Sequence, residues 1–138
     1  MKATETRLFK FLQKSAQFTI PIYQRQYSWS HAQCEQLFKD IEHAGSTDVE
    51  AHFIGSVVYV ERGLYSHSDV PKLLVIEGQQ RLTSATLLIA ALTRAIQKRA
   101  DNGIANVVDG TNAKKLKMYY LCNDAEDGDL FYKLILTK

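Results

Sequence analysis

The sequence predicts a single domain that combines α-helices with a few short β-strands. The apolar run 73–76 is too short for a helix and is bounded by helix-breaking residues, so it predicts a buried strand. Gly78 ends this run, and a long amphipathic helical pattern begins directly after it. A length of 138 residues, with 46% hydrophobic and 23% charged residues, is ordinary for one soluble globular domain with its own core.

The turn from this strand into this helix predicts an anion pocket. The first N–H groups of a helix have no intrahelical partner and carry partial positive charge, which suits a phosphate. Arg81 lies in the first turn, and its side chain tilts back toward the helix N-terminus. The pocket would combine backbone N–H groups, the amides of Gln79 and Gln80, and the Arg81 guanidinium. In the alternative interpretation Glu77 pairs with Arg81 four residues later, and the two glutamines are solvated.

A second informative stretch, residues 20–29, concentrates three aromatic residues, one arginine and two glutamines within seven positions. The rings of Tyr23, Tyr27 and Trp29 can cover the core as a plug. In the alternative they fix a recognition loop in which Arg25 and the amides face a ligand. The alternation of rings with planar hydrogen-bonding groups favours the recognition loop.

The other elements follow from periodicity and turn residues. Residues 4–14 predict a short helix, and residues 18–21 a brief strand that Pro21 ends or places at a sheet edge. Ser30 and Gln33 form a capping box that begins a helix ending at Gly45. The helical period predicts that its apolar face consists of Cys34, Leu37, Phe38, Ile41 and Ala44.

The second half of the chain predicts one long helix between short elements. Residues 53–60 predict a strand that pairs antiparallel with residues 72–76, and Gly55 within it indicates a bulge or a close backbone approach. Residues 116–121 predict a strand, and residues 130–136 a helix or a strand. The helix after Gly78 is predicted to bury Leu82, Ala85, Leu88, Ile89, Leu92, Ala95 and Ile96.

Composition and spacing exclude several classes of function. The formal charge of +2 is too small to indicate nucleic-acid binding by electrostatics alone. Cys34 and Cys122 have neither metal-binding nor redox spacing, so we expect a reduced, cytoplasmic protein. No apolar run reaches transmembrane length, and the sequence contains no Walker loop, dinucleotide fingerprint, nucleophile elbow or His-Asn-His nuclease motif. We expect no membrane partner, and oligomerisation remains open.

Three motifs in order resemble the N-terminal domain of GmrSD-type, modification-dependent restriction enzymes. They are Ile20-Pro21-x-Tyr23-Gln24-Arg25-x-Tyr27-x-Trp29, Phe53-x-Gly55-Ser56 and Ile76-Glu77-Gly78-Gln79-Gln80-Arg81-Leu82-Thr83. The match in order and spacing extends along almost the whole chain. Because the chain stops shortly after an apolar element, we expect residues 1–138 to be one domain of a longer protein whose nuclease domain is absent here.

The resemblance implies an α+β fold of the ParB/sulfiredoxin-like type, with a small mixed sheet packed by helices and a strand–Gly–helix phosphate-binding turn. It also implies binding and hydrolysis of a nucleoside triphosphate with Mg²⁺, which regulates cleavage of modified DNA in defence against phage. DNA would be contacted through the full-length protein or a partner nuclease domain. The family's motif begins with aspartate, whereas this chain has Glu77, which moves the carboxylate outward by one methylene.

The leading hypothesis is therefore a nucleotide-binding regulatory domain. Phosphates would be bound by Gly78, Gln79, Arg81, Arg25 and Gln24. Glu77 would hold Mg²⁺ or act as general base, and Gln80 would position water. Tyr23, Tyr27 and Trp29 would pack the loop or stack on a base. The alternatives are a non-catalytic ParB-like DNA-binding module, for which Lys114, Lys115 and Lys117 supply a basic cluster, and a partner-docking domain.

Overall fold

The computed structural model describes residues 2–21, 23, 26–62, 70–104 and 110–137 of the chain. Within them the fold is mixed α+β, with one small mixed sheet. The strands are β1 (Gln17–Pro21), β2 (Val58–Arg62), β3 (Lys72–Glu77) and β4 (Leu134–Thr137). Their order across the sheet is β2–β3–β1–β4. β1 is parallel to β3 and to β4, whereas β2 is antiparallel to β3, as the sequence predicts.

One helix precedes β1, and the others lie between the strands along the chain. The helices are α1 (Leu8–Gln13), α2 (His31–Ser46), α3 (Gln79–Asp101) and α4 (Ala113–Leu116). A π-helical turn (Lys117–Leu121) and a 3₁₀ turn (Gly128–Phe131) precede β4. Among the residues that the structure describes, no helix is long and apolar enough to cross a membrane.

The main core lies between α1, the two central strands and the first half of α3. β1 is buried along its whole length because β3 and β4 pair with it on either side. Pro21 ends β1 beyond its last pairing with β3, although β1 is a central strand. The buried members of this core are Phe11, Leu12, Ala16, Phe18, Ile20, Leu73, Val75, Leu82 and Ile89.

The predictions of buried apolar faces on α2 and α3 are wrong in part. The capping box forms, since the Ser30 N–H donates to Gln33 Oε1 at 2.6 Å, but no residue of α2 is buried. Phe38 is 48% exposed and Ile41 42%. In α3 the exposed residues include Leu92 and Ala95. The second half of α3 has only a small core, in which Ile96 packs with Ala113 and Leu116, so its remaining apolar side chains lack a surface to bury against.

Two predicted strands also differ from the structure. The strand expected over 116–121 is helical, because the Asn112 side chain accepts from the Lys115 N–H at 2.8 Å and caps α4. The strand expected over 53–60 begins only at Val58. The preceding segment includes Gly55, whose φ of +112° is not a strand conformation, and it turns toward the N-terminus of α3 instead of pairing.

Three buried polar side chains fasten the C-terminal segment to α1 and β1. Gln17, Asn123 and Lys133 are each almost completely buried, and each donates to two backbone carbonyls. The acceptors are the carbonyl oxygens of Asp129 and Tyr132 for Gln17, of Ala16 and Leu130 for Asn123, and of Leu12 and Lys14 for Lys133. These bonds hold the segment before β4 so that β4 can pair with β1.

Candidate functional site: the cavity at the N-terminus of α3

The turn between β3 and α3 is built around Gly78. Its φ of +83° lies in the left-handed region, which glycine adopts without strain. A Cβ atom at this position would lie 2.6 Å from the Ser56 carbonyl oxygen, so the close approach of the Ser56 backbone also requires glycine. The first intrahelical bond runs from the Leu82 N–H to the Gly78 carbonyl at 2.9 Å. The N–H groups of residues 79–81 therefore have no intrahelical acceptor.

A cavity of about 490 Å³ opens at this turn. Residues 76–81 line it together with Trp29 and Ser56. The cavity thus combines a helix N-terminus, the Glu77 carboxylate, the Arg81 guanidinium and one aromatic ring. Three separate segments of the chain meet here.

Arg81 is held by backbone and not by a carboxylate. Its Nη1 donates to the Ser56 carbonyl oxygen at 3.3 Å, and its guanidinium lies against Gly55. Among the described residues no ion pair joins Arg81 to Glu77 or to any other acidic side chain. A cation in the first turn of a helix is disfavoured by the helix dipole, so this position leaves positive charge available for an anion.

The two glutamines of the first turn differ in their contacts. Gln79 is 6% exposed, and its Nε2 donates to the Val75 carbonyl at 2.9 Å. Gln80 uses both ends of its amide, since Nε2 donates to the Gln26 carbonyl at 3.0 Å and Oε1 accepts from the Ser28 N–H at 2.9 Å. Gln80 therefore fixes the segment 26–28 onto α3.

The aromatic stretch lies partly at this cavity. Trp29 lines it and is half-buried. The Tyr27 hydroxyl is within hydrogen-bond distance of Ser84 Oγ, at 2.8 Å, and of Cys34 Sγ, at 3.4 Å, so it links α3 to the first turn of α2. The hydrogen bond with the Cys34 sulfur raises the pKa of Tyr27 above its usual value. Tyr23 is 69% exposed and is not among the residues that line the cavity.

The sequence-predicted residues Glu77, Gly78, Gln79, Gln80, Arg81 and Trp29 come together at one cavity. Gln24 and Arg25 lie outside the described residues. The structure adds Ser56, whose backbone carbonyl faces Arg81 and Gly78. No side-chain pattern reveals a contact made by a carbonyl, although the glycine within a β-branched run indicated a close approach at Gly55, and this prediction is confirmed.

The family described as GmrSD restriction endonuclease, N-terminal domain, matches residues 8–138, which is nearly the whole chain. No curated protein matches the chain significantly. The three motifs that resemble this family lie within the matched range. The chain therefore belongs to the family of GmrSD restriction endonuclease N-terminal domains and is part of a restriction-system protein.

Proposed function

We propose that the cavity at the N-terminus of α3 binds the phosphate chain of a nucleoside triphosphate. The observation that carries the proposal is an arginine that has no acidic partner among the described residues and lies beside a free helix N-terminus, in one cavity of about 490 Å³. This volume lies within the usual range for small-molecule sites, about 300–1,000 Å³. Helix N–H groups and a guanidinium are the donors that phosphate oxygens prefer. The strand–Gly78–helix turn is then a phosphate-binding turn of the ParB/sulfiredoxin-like type.

The other residues at the cavity suit the rest of such a ligand. Trp29 would stack on a base. Arg25 and Gln24, which precede it in the sequence, would add phosphate contacts, and Tyr23 and Tyr27 would support the loop. The Glu77 carboxylate and the Gln79 side-chain oxygen are hard oxygen ligands of the kind that suit Mg²⁺. These two side chains would hold Mg²⁺, which when bound would supply positive charge beside the phosphate oxygens.

Hydrolysis is the second half of the proposal. Glu77 directly precedes Gly78 and lines the cavity, so its carboxylate would act as general base or through a bound water. Gln80 would help to position water, because it fixes the segment 26–28 beside the helix. Because glutamate stands where the resemblance leads us to expect aspartate, the carboxylate is displaced by one methylene, and small displacements are costly in catalysis. A phosphate-release assay should therefore find faster turnover in Glu77→Asp than in the wild type.

In the restriction system, nucleotide bound at this domain would regulate cleavage of modified DNA by a nuclease domain that lies outside this chain. This would place the chain in defence against phage as a regulatory part and not as the part that cuts. The wild-type domain alone should then bind nucleotide without cleaving DNA.

Calorimetric titration of the four ribonucleoside triphosphates with Mg²⁺ tests the proposal. Arg81→Ala should weaken binding by about tenfold or more, because a hydrogen bond to a charged group contributes about 1.5–3 kcal/mol. Arg94→Ala is the matched control, since Arg94 is an exposed arginine farther along the same helix. Equal affinities of the Arg81→Ala and Arg94→Ala variants would remove the phosphate site from this turn.

A second candidate function is DNA binding without nucleotide. Its support is the exposed basic cluster of Lys114, Lys115 and Lys117, whose neighbours Ala113 and Leu116 pack against Ile96 of α3. It predicts DNA affinity that falls steeply with salt and does not require Arg81. A titration of duplex DNA at two salt concentrations, on wild type and on Lys114→Ala/Lys117→Ala, separates it from the first proposal.

A further inference from the structure

The Gly55–Ser56 backbone forms the wall of the cavity that faces Arg81. A Cβ atom built on Gly55 would lie 2.6 Å from Arg81 Cζ and 2.7 Å from both Nε and Nη1. Real Cβ atoms do not approach other heavy atoms this closely, so the planar guanidinium occupies the space that a side chain at position 55 would fill. Gly55 also has a φ of +112°, which L-amino acids with side chains rarely adopt.

The same segment holds the guanidinium at a second point. The Ser56 carbonyl oxygen accepts from Arg81 Nη1 at 3.3 Å. Gly78 permits this position of Ser56, because a Cβ at Gly78 would lie 2.6 Å from the same carbonyl oxygen. The backbone at Gly55 therefore limits one side of the guanidinium, and the Ser56 carbonyl occupies one of its N–H groups.

We infer that Gly55 and the Ser56 carbonyl are positioning groups that orient the Arg81 guanidinium so that its remaining N–H groups face the cavity. The inference rests on the proposed function and specifies how the site holds a phosphate group. An arginine fixed in advance loses less side-chain entropy when it binds, because its planar donors are already oriented. The group positioned in this way would take a pair of phosphate oxygens.

The substitution Gly55→Ala tests this role, with Gly103→Ala as its matched control. Both glycines have positive φ, but a Cβ at Gly103 has no neighbour within 4 Å, so both variants strain the backbone and only Gly55→Ala displaces Arg81. Inorganic triphosphate with Mg²⁺ is the probe, since it isolates the phosphate contacts from any base contact. We expect Gly55→Ala to bind it about tenfold more weakly or worse, and Gly103→Ala to bind it like the wild type.

A double-variant cycle with Arg81→Ala shows whether Gly55 acts through Arg81. If it does, Gly55→Ala/Arg81→Ala binds no more weakly than Arg81→Ala alone, because the contact is already lost. Additive losses, or equal affinities of Gly55→Ala and Gly103→Ala, would overturn the inference while the proposed function stands. If the wild type bound neither nucleotide nor triphosphate, the proposed function itself would fail, and this inference with it.

A measurement without ligand completes the test. The heteronuclear NOE of the Arg81 side-chain Nε–Hε group reports how far the guanidinium is restrained on the picosecond to nanosecond timescale. We expect a high value in the wild type and in Gly103→Ala, and a low value in Gly55→Ala. A low value in the wild type would contradict the restraint that the inference requires.

Discussion

Lys133 shows at the scale of one residue how a buried charge can serve the fold. It is 4% exposed, and its Nζ donates to the Leu12 carbonyl at 2.7 Å and to the Lys14 carbonyl at 2.8 Å. Both acceptors lie at the end of α1, where the last carbonyls of a helix have no intrahelical donor. Because a neutral amine still has two N–H groups, it can keep both bonds after it loses its proton.

The titration of Lys133 predicts how stability depends on pH. Burial lowers the pKa of Lys133 below its usual value of 10.5, so between its folded pKa and 10.5 the unfolded chain binds more protons than the folded chain. The free energy of unfolding should therefore rise with pH through this window. Lys133→Met should lack this rise and should be less stable at every pH by about 1–3 kcal/mol, because two carbonyls lose their donor.

The measurement is urea unfolding across the alkaline range. Burial raises the pKa of the Cys122 thiol above its usual value of 9.0. As the pH increases above 9.0, the free energy of unfolding therefore falls, which opposes the effect of Lys133. Both proteins are therefore compared in a Cys122→Ala background. The same pH dependence with and without Lys133 would contradict the prediction.

At the scale of elements, polar contacts join residues 26–28 of the loop before α2 to α3. The Gln80 amide binds the backbone of Gln26 and of Ser28, and the Tyr27 hydroxyl reaches Ser84. No residue of α2 itself is buried. The position of Trp29 at the cavity therefore depends on these few hydrogen bonds.

Gln80→Met should release this loop while it preserves the size of the side chain. Two backbone groups would lose their partners, at a cost of about 1–2 kcal/mol in the free energy of unfolding. Trp29 is the single tryptophan of the chain, so its fluorescence reports the loop directly. We expect a red-shifted emission and stronger quenching by acrylamide in the native state.

Gln79→Met is the control, because the Gln79 amide binds the Val75 carbonyl and does not contact the loop. Its emission spectrum should match that of the wild type. If Gln80→Met also leaves the emission and quenching unchanged, the loop is held by other contacts, and the positioning role of Gln80 is wrong.

At the scale of the whole molecule, the sequence predicted the local features and the antiparallel pairing of β2 with β3, but not the pairing of β4 or the exposure of α2. The turn at Gly78 and the capping box at Ser30 depend on neighbouring residues, and both are present. The pairing of β4 with β1 joins residues more than a hundred positions apart, and no local pattern indicates it. The prediction that α2 buries its apolar face is wrong for the same reason. A helical period shows which side of α2 is apolar but not whether another surface covers it.

This distinction predicts unequal energetic roles for two phenylalanines. Phe18 is 1% exposed in the main core, whereas Phe38 is 48% exposed on the apolar face of α2. Phe18→Ala should cost about 3–5 kcal/mol, since it leaves a cavity in a packed core. Phe38→Ala should cost less than about 1 kcal/mol in the isolated domain, since about half of its side chain already contacts water. Urea unfolding of both variants measures the difference, and a similar cost at the two positions would mean that α2 packs against the domain in solution more closely than in this structure.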